Sequence, residues 1–172
     1  MKTTSASAVC SLSYRDSRAY MMAALFVVGN IVLPQLCHLV PQGGLVWLPI
    51  YFFTLVAAYK FGLTAGLLTA IASPVVNSLL FGMPAAASLP IILIKSVLLA
   101  VAAAFIASRV RGVALWAVAL AVVAYQGIGM IAEWGMTGSL AAALQDIRLG
   151  WPGILVQIFG GYAVMKYVRV KM

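Results

Sequence analysis

Six apolar runs, set one after another with only short polar breaks between them, constrain this chain more than any motif in it. They are Ala19 to His38, Leu45 to Tyr59, Phe61 to Phe81, Leu89 to Ser108, Val113 to Trp134 and Trp151 to Val168, each bounded by Gly, Pro or charge. A hydrocarbon layer about 30 Å thick takes roughly 20 helical residues to cross, so most of the runs have the length of a span. A water-soluble fold has no surface for so much apolar side chain: 65% of the residues are hydrophobic, 8% are charged and the mean hydropathy is +1.09. The expected fold is an all-α integral membrane protein, a single six-helix membrane domain over residues 19–172 behind a polar cytoplasmic leader at 1–18. The second run is short, since its fifteen residues reach only about 22 Å. It must borrow from Pro41-Gln42-Gly43-Gly44 or sit in thinned lipid. The first run continues from Ala19 to Cys37, which favours a retained helix over a cleaved signal peptide.

Charge supplies the orientation. With a cytoplasmic N-terminus, nine cations fall inside: Lys2, Arg15, Arg18, Lys60, Arg109, Arg111, Lys166, Arg169 and Lys171. Only Arg148 falls outside, and Lys95 lies within a run. The positive-inside rule then predicts an even number of crossings with both ends in the cytoplasm. The net charge of +8 is scattered in these small groups, so no nucleic-acid partner is expected and the lipid bilayer is the main contact. Cys10 and Cys37 fall on opposite sides, which argues against a disulfide.

Polar groups inside hydrocarbon are costly, so their depth is informative. In this topology the outer third of the bundle holds Gln35, His38, Trp47, Asn77, Lys95, Gln126, Glu133, Trp151 and Gln157. All but Gln35 are taken as candidate substrate-binding residues. Lys95 lies five residues after Pro90, roughly 7–8 Å down its helix. It either snorkels or pairs with Glu133, or meets an anionic group on a solute. His38 is the only histidine, so it is an interfacial residue bonded to loop backbone or a direct solute contact, and no metal site is expected. Pro34 and Pro74 free helical carbonyls shortly before His38 and Asn77. Trp47, Trp134 and Trp151 are interfacial belt residues or stacking surfaces.

Small residues at four-residue spacing mark helix contacts: Ser96, Ala100, Ala104 and Ser108 in the fourth run, Gly62 and Gly66 in the third, Ala19 and Ala23 in the first. No Gly-rich nucleotide loop, serine elbow or zinc-binding helix occurs, and three acidic residues make no proton relay. The chain is therefore not expected to be an enzyme, and no catalytic residue or cofactor is assigned.

The order Pro34, His38, Val40-Pro41-Gln42-Gly43-Gly44, Trp47-Leu48-Pro49, followed by Phe61-Gly62 with Gly66, Ser73-Pro74 and Phe81-Gly82-Met83-Pro84, resembles the substrate-binding S component of an energy-coupling factor (ECF) vitamin transporter. The resemblance runs from about Ala19 to Ser108. It implies a six-helix protein of the bacterial cytoplasmic membrane that captures a vitamin-like micronutrient at an outward pocket. Such a protein works with a transmembrane T component and two ATPase subunits, and small residues on its first helix dock the T component, here Ala19 and Ala23. The relatives usually carry a carboxylate near the place of Lys95, so a base there implies a solute with a carboxylate or phosphate. Two other readings compete. A stand-alone carrier or channel needs a polar path through both halves, and a small intramembrane enzyme or assembly factor needs a nucleophile with its base.

Overall fold

The computed structural model describes Leu12–Tyr167; Lys2, Cys10, Val168, Arg169 and Lys171 lie outside the described residues. Helices, turns and loops make up the described residues, with no strand among them. Helix α1 (Ser17–Cys37) opens on Asp16, whose carboxylate accepts the Arg18 N–H at 3.0 Å. This satisfies one of the donors that every helix start leaves over.

The expected second span is divided. Helix α2 (Gly43–Trp47) stops at Leu48, a 3-10 turn runs Pro49–Tyr51, and α3 covers Phe52–Phe61. The cause is local: a residue before proline is pushed out of the right-handed helical region, and Leu48 takes the left-handed one with φ 46°. Gly62, at φ 91°, turns the chain into α4 (Leu63–Phe81), which ends on left-handed Gly82 at φ 66°. Helix α5 (Leu89–Arg109) carries Pro90 in its first turn, where the missing N–H costs nothing. Helix α6 (Leu115–Thr137) ends on Gly138, whose N–H donates to the Trp134 carbonyl at 2.8 Å.

Two four-residue helices, α7 (Leu140–Ala143) and α8 (Gln145–Arg148), lead into α9 (Trp151–Leu155). A π turn at Val156–Gly160 and α10 (Gly161–Tyr167) follow α9 without a break. Four helices, α1, α4, α5 and α6, are long and apolar enough to cross a membrane, and Pro49–Phe61 is a shorter apolar helix. Their outward faces carry residues such as Leu25, Val28, Val101, Phe105, Val123 and Ile131, all exposed. A soluble protein would bury such a surface.

Hydrogen bonds and close contacts define the two ends of the bundle. At one end Leu12 N–H donates to the Phe61 carbonyl at 3.0 Å, the Tyr59 hydroxyl to the Gly112 carbonyl at 3.3 Å, and Lys60 Nζ to the Met165 carbonyl at 2.8 Å. At the other end α2 lies against α9 so closely that a Cβ on Gly153 would stand 2.4 Å from the Trp47 carbonyl. Helices α3 and α4 also touch through small residues, since a Cβ on Gly66 would come within 2.5 Å of Ala58 Cβ.

Ala19 and Ala23 are buried, 0% and 4% exposed, on the face of α1 that packs on α3 and α4. On α5 the stripe is buried at Ser96 and Ala100 and emerges at Ser108.

Candidate functional site

Lys95 is 3% exposed, a cost that a bare ammonium in a helical bundle could not carry. Its stem crosses Gly129 of α6, where an added Cβ would stand 2.8 Å from Lys95 Cγ. Gln126, Gly129 and Glu133 occupy one stripe of α6, at the three- and four-residue spacing that aligns side chains on a helix. Glu133 thus comes from one turn beyond Gly129, and its Oε2 accepts from Lys95 Nζ. The internal pairing read from the sequence is present.

A second carboxylate joins it. Asp146 on α8 accepts from Lys95 Nζ through Oδ2 at 2.7 Å. One ammonium against two carboxylates leaves the cluster with a single net negative charge. Glu133 and Asp146 remain 14% and 15% exposed, and their other oxygens, Oε1 and Oδ1, have no hydrogen-bond partner among the described residues. Breaking such a buried arrangement from the lysine side costs about 3–5 kcal/mol, because uncompensated charge stays behind.

Beside the cluster stands a pair of buried tyrosines. The rings of Tyr51 and Tyr125 lie 5.5 Å apart at 46°, and the Tyr125 hydroxyl donates to Gln157 Oε1 at 2.9 Å. Gln157 projects from the π turn, a local widening that recurs at functional sites because it redirects one side chain. Its Nε2 has no partner, and neither do Gln126 Nε2 and Ser96 Oγ, the hydroxyl next in sequence to Lys95. A buried donor left unpaired costs roughly 1–3 kcal/mol. The π turn, α6 and α5 each carry one such group.

Asn77 belongs elsewhere. Its Nδ2 donates to the Asn30 carbonyl at 2.9 Å and to the Ser73 carbonyl at 3.0 Å. Pro34 explains the first bond: lacking an N–H, it cannot take up the carbonyl four residues back, which is that of Asn30. The Asn30 side chain in turn donates to Thr54 Oγ1 and Ser73 Oγ, both at 3.1 Å, and accepts from Phe53 N–H at 3.1 Å. This hub ties α1, α3 and α4 together.

His38 is exposed, and its Nδ1–H donates to the Pro34 carbonyl at 2.6 Å, so it bonds the backbone of its own helix rather than a loop. It lines a pocket of about 400 Å³ with Pro34, Gly44, Pro49, Ile50, Ser88 and Ile92. Ile50 adjoins Tyr51 in sequence and Ile92 stands one turn before Lys95, but no member of the ion cluster, neither Gln126 nor Gln157 and neither tyrosine lines the pocket. Trp47 and Trp151, 40% and 58% exposed, flank the α2–α9 contact as belt residues do.

The eight candidates thus separate into the ion cluster with its glutamines, the His38 pocket, the Asn30 hub and the tryptophan rim. Sequence reasoning passed over Asn30, Thr54, Tyr51, Tyr125 and Asp146, and read Ser96 only as a helix contact and Ser73 only beside Pro74. Asn30 had a signal, its place four residues before Pro34. Asp146 had only its sign, since nothing local brings α8 to α5. Cys37 makes no disulfide among the described residues. Comparison with family models, with functionally characterised proteins and with solved structures gave no match.

Proposed function

We propose that this chain is the substrate-binding S subunit of an ECF-type importer, crossing the bacterial cytoplasmic membrane six times with both ends inside. It captures a vitamin-like micronutrient from outside and passes it inward with a T component and two ATPases. The observation that carries this reading is the company Lys95 keeps: an ion cluster, paired tyrosines and the unpartnered buried groups of Ser96, Gln126 and Gln157. Helix packing alone would bury apolar groups there, whereas a receptor needs convergent polar groups in an apolar frame.

The remaining crossings fall to Pro49–Phe61, short on its own, and to the α9–α10 stretch, both completed by neighbouring turns and thinned lipid. Lys60 and the Arg109 turn lie at the end opposite the cluster, which agrees with a cytoplasmic placement under the positive-inside rule. With Ala19 and Ala23 enclosed, a T component would meet the exposed side of α1, where Met21, Leu25 and Val28 lie.

The test is affinity purification of the tagged full chain from its own membranes with peptide mass spectrometry of what accompanies it, together with uptake before and after ATP depletion. Recovery of a T component and an ATPase pair, with ATP-dependent uptake, is expected. A chain recovered alone that still transports after ATP depletion is a stand-alone carrier.

A further inference from the structure

We infer that Glu133 and Asp146, bridged by Lys95, form the receptor for a positively charged group, and that the solute is a monocation bearing hydrogen-bond acceptors. This rests on the solute-binding reading above and reverses the charge that Lys95 by itself suggests.

The ammonium of Lys95 is already spent on two carboxylates. An anion arriving at this place must displace Asp146 from a charge-assisted bond of 2.7 Å or bring a second unbalanced negative charge to the cluster. A single positive charge instead brings the cluster to neutrality without moving any of its members. The means of contact are present: Glu133 Oε1 and Asp146 Oδ1 are unpartnered among the described residues, and both acids keep some exposure while Lys95 is sealed beneath them.

A second, independent observation specifies the rest of the solute. Gln126 and Gln157 are 7% and 0% exposed, and each holds an amide Nε2 with nothing to donate to. Gln126 lies on the same stripe of α6 as Glu133, and Gln157 is bonded to Tyr125, whose ring faces Tyr51. Such donors are satisfied by carbonyl oxygens or ring nitrogens. The negative ring faces of Tyr51 and Tyr125, buried and tilted 46° to each other, favour positive charge nearby.

The test uses the compounds that accompany the protein itself. Full-length wild type, Asp146→Asn and Glu133→Gln are purified in detergent, checked for monodispersity and extracted with methanol. The extracts are then compared by mass spectrometry in both ion modes. The inference expects one compound, positively charged near neutral pH, enriched with wild type and reduced at least about tenfold in each folded variant. A neutral or anionic compound overturns it. So does retention or enrichment with Asp146→Asn, the outcome if an anion normally has to displace that carboxylate, and so does the absence of any enriched compound. The charge of the wild-type compound decides even where neither variant folds. Failure of the importer reading is seen separately, as a wild-type chain that retrieves no T component.

Discussion

Two polar clusters lie inside this bundle, and they are finished to different degrees. Around Asn30, between α1, α3 and α4, the side-chain amide, two hydroxyls, a backbone N–H and a proline-freed carbonyl all find partners, with Asn77 Oδ1 the one orphan. Around Lys95, between α5, α6 and α8, the charges are paired but two carboxylate oxygens have no partner, and Ser96, Gln126 and Gln157 each hold an unpartnered atom. A network closed on itself fixes helices. One left open is either a fault in stability or the unfilled half of a binding site, and the gathering of charged groups and spare donors from α5, α6, α8 and the π turn argues for the second.

The strongest way to break this contrast is Lys95→Met, which leaves Glu133 and Asp146 facing each other without the cation. A loss of about 3–5 kcal/mol is expected, read as a large drop in the melting temperature of the detergent-solubilised protein. Asp146→Asn added to it should recover part of the loss, and a single variant that melts like wild type would show that the cluster is not formed. Next in size is Asn30→Leu, which removes the partners of Thr54, Ser73 and the Phe53 N–H. It should cost about 2 kcal/mol. The compound bound per folded molecule should not change.

Gly129→Ala sharpens the comparison from the site side. The new Cβ meets the Lys95 stem at 2.8 Å and must push it, at a cost of about 1 kcal/mol that the same thermal melt would read. The smallest stability effect is expected from Gln126→Leu, which removes an unpaired buried amide and should leave the melting temperature unchanged or slightly raised. The accompanying compound should nevertheless fall. That pairing of outcomes is opposite to the one expected at Asn30, and equal behaviour of the two variants would erase the distinction between scaffold and site.

Much of the fold was legible because hydrocarbon imposes a long apolar run wherever a helix crosses it. Helices α1, α4, α5 and α6 lie within a few residues of the expected runs. The second run was misjudged in form because its period is apolar throughout, whereas the break at Leu48 comes from the proline that follows it. The π turn in the last run leaves no mark in hydropathy at all.

At the site, Lys95 and Glu133 could be paired by depth alone, since the two helices run past each other. Asp146 could not, because its position depends on two four-residue helices whose packing no periodicity reports. Asn77 stood out by its depth like the others, but depth does not separate an amide serving a freed carbonyl from one waiting for a solute. Only the hydrogen bonds each amide makes do so.

Accessibility of engineered cysteines in intact cells tests most directly whether the ion cluster opens to the outside. In a chain with Cys10 and Cys37 replaced by serine, Arg148→Cys stands beside Asp146 and Arg111→Cys lies in the turn between α5 and α6. A membrane-impermeant maleimide is expected to label the first in whole cells and the second only after permeabilisation. Labelling of both from the same side, or of Arg111→Cys alone from outside, would contradict an outward-facing receptor.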